Sequence, residues 1–340
     1  MIRRRSKTLV FHAIFSLICM VIAIQAVEMK EEEEEKQDSV AYAAAASSSG
    51  FNFAAAGDWA CTSHTTDTIN NIVDKNPELV LGLGDYSYED TADCWFDIIQ
   101  PIDNIMKIAI GNHEVKEESK LSQYMNHFDL TEQYYSFNYQ NVHFIALATE
   151  SEYLNMSKHR AKEQLAFVRN DLEKASLDPN IDWIIPFFHR MMYYEENESC
   201  SIVGEHDHNL EDIYHPLFEK YEVHLVLQAH SHTYERTYPL RDNPLNSEDP
   251  IVTSKDSSNK YTNIDGLVIA TVGTGGIFTC KFVHTDPKLA PIQYENLFGF
   301  LNVDVSSDGT TLVGTFYENN GGDGKIKDKF TITKSKQITK

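Results

Sequence analysis

Past residue 50 the chain alternates short apolar runs with amphipathic stretches, and the alternation predicts its elements. FNFAAA (Phe51 to Ala56) reads as a strand, Thr66 to Asn76 as a helix, LVLGL (Leu79 to Leu83) as a second strand and KIAI (Lys107 to Ile110) as a third. YYSFNY (Tyr134 to Tyr139) and VHFIALAT (Val142 to Thr149) form a hairpin through Gln140 and Asn141. Ala161, Leu165, Val168 and Leu172 recur on one face of a helix from about Ser157 to Lys174. WIIPFF (Trp183 to Phe188) is a buried strand, Leu210 to Lys220 a helix, and VHLVLQ (Val223 to Gln228) a strand. In the last third LVIATV, GFLNVDV, TLVGTFY and KDKFTIT read as successive strands with glycine turns. The pattern is βαβ-like first and all-β last, without repeat or strong internal linker, so one α/β domain over residues 51–335 is the economical reading.

Residues 1–50 stand outside it. Arg3, Arg4 and Arg5 precede an apolar stretch from Thr8 to Val27, close to bilayer-spanning length and interrupted by His12, Ser16 and Gln25. Residues 1–27 therefore read as a signal peptide or an N-terminal membrane anchor. No small-x-small site follows, so both remain open, and a secreted or an anchored extracytoplasmic protein is expected. Residues 28–50, a glutamate run and then an Ala/Ser tract, read as a disordered linker.

Of 340 residues, 42% are hydrophobic and 11% aromatic, enough for a large core. The formal net charge is -22, with no basic block beyond the first residues, so most of this surface repels a nucleic-acid backbone. An anionic substrate would need a strong local positive charge such as bound metal.

The strand ends carry the chemistry. They present Gly57-Asp58, Gly84 to Tyr88 (GDYSY), Gly111 to Glu114 (GNHE), His189, and His230-Ser-His232. Each alone is an ordinary turn or cap. Together they supply Asp58, Asp85, Tyr88, Asn112, His189, His230 and His232, oxygen and imidazole donors enough for two metal ions, gathered where the carboxyl ends of strands in an open sheet share a crevice. His230 and His232, two apart on an extended segment, would point the same way. Asp85, with two oxygens, is the natural bridge.

In order and type these five blocks resemble the calcineurin-like metallophosphoesterases, and within them the purple acid phosphatases; the likeness covers about residues 50 to 335 and includes HSHTYERT and the VGTGG of Val272 to Gly276. It implies an α/β fold, a sandwich of two mixed sheets flanked by helices with an all-β C-terminal part. It implies Fe(III) held by Asp58, Asp85, Tyr88 and His232, and a second divalent ion, iron, zinc or manganese, held by Asp85, Asn112, His189 and His230. It implies hydrolysis of phosphomonoesters by hydroxide generated on the metals, with His113 protonating the leaving alcohol. Ala60 stands where other members of the superfamily carry a histidine ligand, and a phenolate from Tyr88 suits Fe(III). Ala60 and Ala229 also stand where glycine is usual. A two-divalent-metal phosphodiesterase or nucleotide hydrolase, and a catalytically silent surface binding protein, are the alternatives. His64 is the candidate for contact behind the ligands, and Glu235 and Arg236 for bracing the His230 to His232 loop.

Four cysteines remain after Cys19: Cys61, Cys94, Cys200 and Cys280. In an exported chain they permit two disulfides, and Cys61 and Cys94, each following a strand-end motif, are the favoured pair. Asn155 and Asn197 head glycosylation acceptor triplets. The sequence leaves the oligomeric state open.

Overall fold

The computed structural model describes residues 50–193, 210–256, 258–282, 288–320 and 324–335. The leader, nearly all of the linker, Asn197 and Cys200 lie outside the described residues.

The first sheet contains seven strands. Its parallel part is β1 (Phe51–Ala56), β2 (Leu79–Gly82) and β3 (Met106–Ile108), paired in that order. The second begins with the antiparallel hairpin β4 (Tyr135–Tyr139) and β5 (Val142–Ala146) and continues through β6 (Trp183–Phe187) and β7 (Leu225–Gln228), which run parallel to β5. β8 (Tyr234–Arg236) also belongs to the second sheet, and the short β9 (Leu240–Arg241) and β10 (Ile251–Val252) form a separate hairpin. β11 (Lys260–Thr262) belongs to the first sheet and β12 (Val268–Val272) and β13 (Ile292–Tyr294) to the second. β14 (Gly299–Val305), β15 (Thr311–Glu318) and β16 (Lys325–Thr333) complete the first sheet. The orders are β11-β16-β15-β14-β1-β2-β3 and β13-β8-β12-β7-β6-β5-β4. The all-β last third is thus no separate layer: β14 pairs antiparallel with β1 across some 250 residues of chain, Phe51 opposite Val305.

Apolar runs with no polar alternation belong to strands covered on both faces. Here period two sorts them. Phe144 and Ala146 of β5, Ile185 and Phe187 of β6, and Leu225 and Leu227 of β7 face the core between the sheets. Ile145, Ile184 and Val226 face a second core. That outer core is closed by α6 (His159–Leu177) through Val168 and Leu172, and by α7 (Leu210–Lys220) through Tyr214 and Phe218. The inner core is knitted by rings from opposite sheets: Phe53 meets Phe144 edge-on at 5.2 Å, and Tyr234 stacks on Phe316 at 3.8 Å.

The other α-helices among the described residues are α1 (Ser63–Lys75), α2 (Asp93–Ile99), α3 (Asn112–Val115), α4 (Glu118–His127) and α5 (Ser151–Leu154). Cys61 and Cys94 form a disulfide with Cα atoms 6.0 Å apart, tying the loop after β1 to the start of α2. No helix among the described residues is long and apolar enough to cross a membrane.

Candidate functional site

The carboxyl ends of β1, β2 and β3 in one sheet meet those of β6 and β7 in the other, and the predicted donors lie at that junction, in loops except for Asn112, which opens α3. Asp58, Asp85 and His189 are fully or almost fully buried, and His232 is 8% exposed.

Two knots of atoms form around Asp85. In the first, the Tyr88 hydroxyl lies 3.2 Å from Asp58 Oδ1, 3.3 Å from Asp85 Oδ2 and 3.0 Å from His232 Nε2. In the second, His189 Nε2 lies 3.2 Å from Asp85 Oδ2, 3.0 Å from Asn112 Oδ1 and 3.1 Å from His230 Nδ1. All seven residues therefore lie close together, in two groups that share Asp85. These spacings fit cations: ligands about 2.1 Å from one ion and at right angles stand about 3.0 Å apart. Ligand atoms of Asp85, His189 and His230 all fall within 4.8 Å of one another.

The backbone is bent to make this happen. Asp58, Asp85, Tyr88, His230 and His232 all have left-handed φ, between 51° and 73°. Non-glycine residues rarely occupy that region, and a cluster of them marks a functional site. It also corrects the extended-strand reading of His230 and His232: both rings reach the pocket because each residue turns left-handed, with φ of 73° and 51°. Ala60, at φ 64°, shows why glycine is usual there. At Gly57 a Cβ would come within 2.6 Å of the Ala229 Cβ, so the methyl at 229 fills space that Gly57 leaves clear.

Neighbouring groups set the tautomers. His189 Nδ1 donates to the Leu83 carbonyl at 2.8 Å and His232 Nδ1 to the Phe278 carbonyl at 3.0 Å, which leaves each Nε2 facing the pocket. Burial alone would raise Asp85, but the charge and hydrogen bond of His189, with His113, hold it below the usual carboxylate range. Burial alone would lower His189, and Asp85 instead takes it up to about 10. Burial pushes Asp58 up to about 7, against the pull of His189. Burial, then the charges of Asp58 and Asp85, drive Tyr88 well above its ordinary value, so its phenolate needs a cation beside it. Protons and cations compete for the same lone pairs.

His113 stands at the mouth, its ring 4.1 Å from that of Tyr88, its Nε2 3.9 Å from Asp85 Oδ2 and its side chain 25% exposed. Burial lowers it to about 4. His64 is exposed and stacks on Phe298 at 4.0 Å. His143 bonds Asp171 and Asn138, a structural role. His206 and His208 lie outside the described residues. Glu235 accepts from Thr233 Oγ1 at 3.3 Å, beside the loop, whereas the buried Arg236 bonds Asp328, Tyr261 and Asn259 rather than the loop itself.

Sequence reasoning missed three supporting residues. Glu114 accepts the backbone N–H groups of Asp85, Tyr86 and Gly111, each at 2.9 Å. Arg190 and Glu150 form a forked pair beside His230. The only signal for Glu114 was its place in GNHE; the other two carried none.

The family model for calcineurin-like phosphoesterases matches residues 51–234, more than half of the chain. Acid phosphatase type 7 of Mus musculus is 29% identical over 223 residues, 58% of this chain and 48% of that protein. Purple acid phosphatase 15 of Arabidopsis thaliana is 24% identical over 348 residues, 83% of this chain and 62% of that protein. Among solved structures, purple acid phosphatase PPD1 from seeds of yellow lupin (Lupinus luteus) has a TM-score of 0.68 at 22% identity, covering 84% of this chain and 54% of that one. The chain spans about half the length of the first curated relatives it matches.

Proposed function

The chain belongs to the calcineurin-like phosphoesterase family, and from that premise we propose that it is an exported purple acid phosphatase-like hydrolase of phosphomonoesters. Asp58, Asp85, Tyr88 and His232 would hold Fe(III); Asp85, Asn112, His189 and His230 would hold a second divalent ion, iron, zinc or manganese. One observation carries the reading: the half-buried phenol hydroxyl of Tyr88 lies within 3.3 Å of two carboxylates and an imidazole, a donor set suited to a hard trivalent cation. When bound, the two cations supply the positive charge an acidic chain lacks, neutralise the phosphoryl oxygens and acidify the attacking water.

The protein's own groups do the rest. Asp85 faces both knots. Hydrogen bonds to the Leu83 and Phe278 carbonyls hold the rings of His189 and His232 with Nε2 toward the donor cluster. His113 packs on Tyr88, partly open to solvent, and a ring nitrogen there delivers a proton to the departing alcohol oxygen. The Cys61–Cys94 disulfide supports export, as does the exposure of Asn155 in its acceptor triplet.

The test is metal analysis and a visible spectrum of the purified protein, with hydrolysis of 4-nitrophenyl phosphate followed at acidic pH. Iron, a tyrosinate charge-transfer band lost in Tyr88→Phe, and turnover are expected. Two divalent ions with no band would favour the phosphodiesterase alternative; absence of bound metal would sink both.

A further inference from the structure

The VGTGG run of Val272 to Gly276 supplies no donor to the cluster, yet the loop it opens after β12 is stitched along its backbone to the loops that do. The Gly273 N–H donates to the Thr233 carbonyl at 3.0 Å, the Gly275 N–H to that of Gly57 at 2.8 Å, and the N–H groups of Gly276 and Ile277 both to that of Asp58 at 3.0 Å. Glycine lets the loop lie this close: a Cβ at Gly273 would come 2.6 Å from Asp58 Oδ2, and one at Gly275 2.7 Å from the Gly57 carbonyl oxygen. Phe278 follows on this fixed platform. Its carbonyl lies 3.0 Å from His232 Nδ1, and two residues on the Cys280 N–H donates to the His232 carbonyl at 3.2 Å.

The backbone of Phe278 thus serves the donor cluster, and its side chain has no such part. The ring is 61% exposed, standing edge-on to His232 with centroids 4.9 Å apart. The other exposed large hydrophobic residues among those described are aliphatic, and single ones are ordinary on any surface. Phe278 differs by its place. It ends a row of rings across the pocket mouth, His113 against Tyr88 at 4.1 Å, Tyr88 against His232 at 6.0 Å, and His232 against Phe278. A held backbone that keeps an aromatic face in water beside a few convergent polar groups has the make-up of a small-molecule site.

We propose that Phe278 is a specificity-determining residue whose exposed ring receives an aromatic group carried by the substrate's alcohol, so that the site favours phosphomonoesters of aromatic-bearing alcohols over purely aliphatic ones. This rests on the acid phosphatase reading above and deepens it. With the phosphoryl group at the donor cluster and the alcohol oxygen facing His113, the rest of the alcohol extends along the row of rings toward Phe278. The contact adds offset or edge-to-face ring packing and removes apolar surface from water. In a chain of net charge -22, an uncharged contact also holds the alcohol without the repulsion that a further anionic group would meet.

The experiment compares the metal-loaded wild type with Phe278→Ala, Phe278→Leu and Phe278→Trp, all of which keep the backbone carbonyl beside His232. Calorimetry measures binding of 2-phenylethylphosphonate and butylphosphonate, and steady-state kinetics compare 2-phenylethyl phosphate with butyl phosphate, matched esters of primary alcohols that differ in the ring. The wild type prefers the phenylethyl member of each pair. In Phe278→Ala that preference falls about 3- to 10-fold in Kd and KM, and kcat changes less, as expected for a contact made equally in ground and transition states. Phe278→Trp keeps the preference, and Phe278→Leu falls between because it retains apolar area without the ring face. An unchanged ratio in Phe278→Ala, a wild type without preference, or an equal loss for both members of a pair, which reports a disturbed His232, overturns the assignment and leaves the phosphatase reading standing. A wild type that binds neither phosphonate and cleaves neither ester sinks the reading beneath it and the assignment together. If the alanine variant does not fold, the leucine variant decides: a reduced ratio supports the assignment, and the wild-type ratio overturns it.

Discussion

The carboxylate of Glu114 accepts the backbone N–H of Asp85 at 2.9 Å, so the residue shared by both donor knots is held from behind by the last residue of the GNHE block. Oε2 also receives Gly111 N–H, and Oε1 receives Tyr86 N–H. Glu114→Ala strands three buried donors, each worth about 1–3 kcal/mol, and is expected to lower unfolding free energy by roughly 3–5 kcal/mol. Glu114→Gln keeps one oxygen for the Asp85 and Gly111 groups and turns its amide N–H toward that of Tyr86, so it loses about half as much. Urea unfolding checks the order, and metal content should fall in the same order; an alanine variant as stable as the glutamine variant would contradict it.

Arg236 and Asp328 are fully or almost fully buried and bidentate, Nε to Oδ2 at 2.6 Å and Nη2 to Oδ1 at 3.0 Å, with the Tyr234 hydroxyl donating to the same carboxylate at 2.8 Å. The pair joins β8, which follows His232 directly, to β16 in the other sheet. Asp328→Ala leaves a buried guanidinium without its counter-charge and should cost about 3–5 kcal/mol, whereas the double change Arg236→Met, Asp328→Leu should cost less than either single change. A double-mutant cycle with additive losses would show that the two groups act independently.

Much of this was legible because strands and their ends write themselves locally. FNFAAA, WIIPF and GFLNVDV show their strand character in a handful of residues, and Gly-Asp, Gly-Asn-His and His-x-His announce donors at their ends. What stayed hidden depends on partners far along the chain. Asp328 lies 92 residues from Arg236, and nothing in KDKFTIT singles out its aspartate as the one turned inward. The left-handed turns at Asp58, Tyr88 and His230 violate residue preference, so propensity argues against them; only the assembled pocket holds them. The same logic defeated the extended reading of His230 and His232, and it hid Glu150, whose value exists only once β5 and β6 lie side by side.

The Cys61–Cys94 bond closes a loop with a sequence separation of 33 residues, from just past Asp58 to just past Tyr88. Chain-entropy reasoning gives roughly 3–4 kcal/mol for a closed loop of that length. Cys61→Ser with Cys94→Ser should lower stability by about that amount and, because the loop carries Asp85 and Tyr88 and begins three residues after Asp58, should weaken metal retention as well. Equilibrium unfolding and metal analysis of the paired variant test it; a stability loss without loss of metal would show that the loop is held by its packing alone.

His215 is fully buried in the outer core, its Nδ1 2.8 Å from the Tyr193 hydroxyl and its Nε2 3.6 Å from Glu219. Burial lowers it from its ordinary value to about 4. Above about pH 6.5 the ring is neutral in both folded and unfolded chains and contributes no pH dependence. Between about 6.5 and 4 the unfolded chain takes up a proton that the folded chain refuses, so stability falls as pH falls, by roughly 3 kcal/mol over the window. The slope of unfolding free energy against pH should therefore lose close to one proton in His215→Leu, measured by urea titration from pH 7 to pH 4. Identical slopes in the two proteins would show that His215 is not the linked group. If the chain holds metals as proposed, their binding opposes this loss, and stripping them at pH 5 should unfold the protein more readily than stripping them at pH 7.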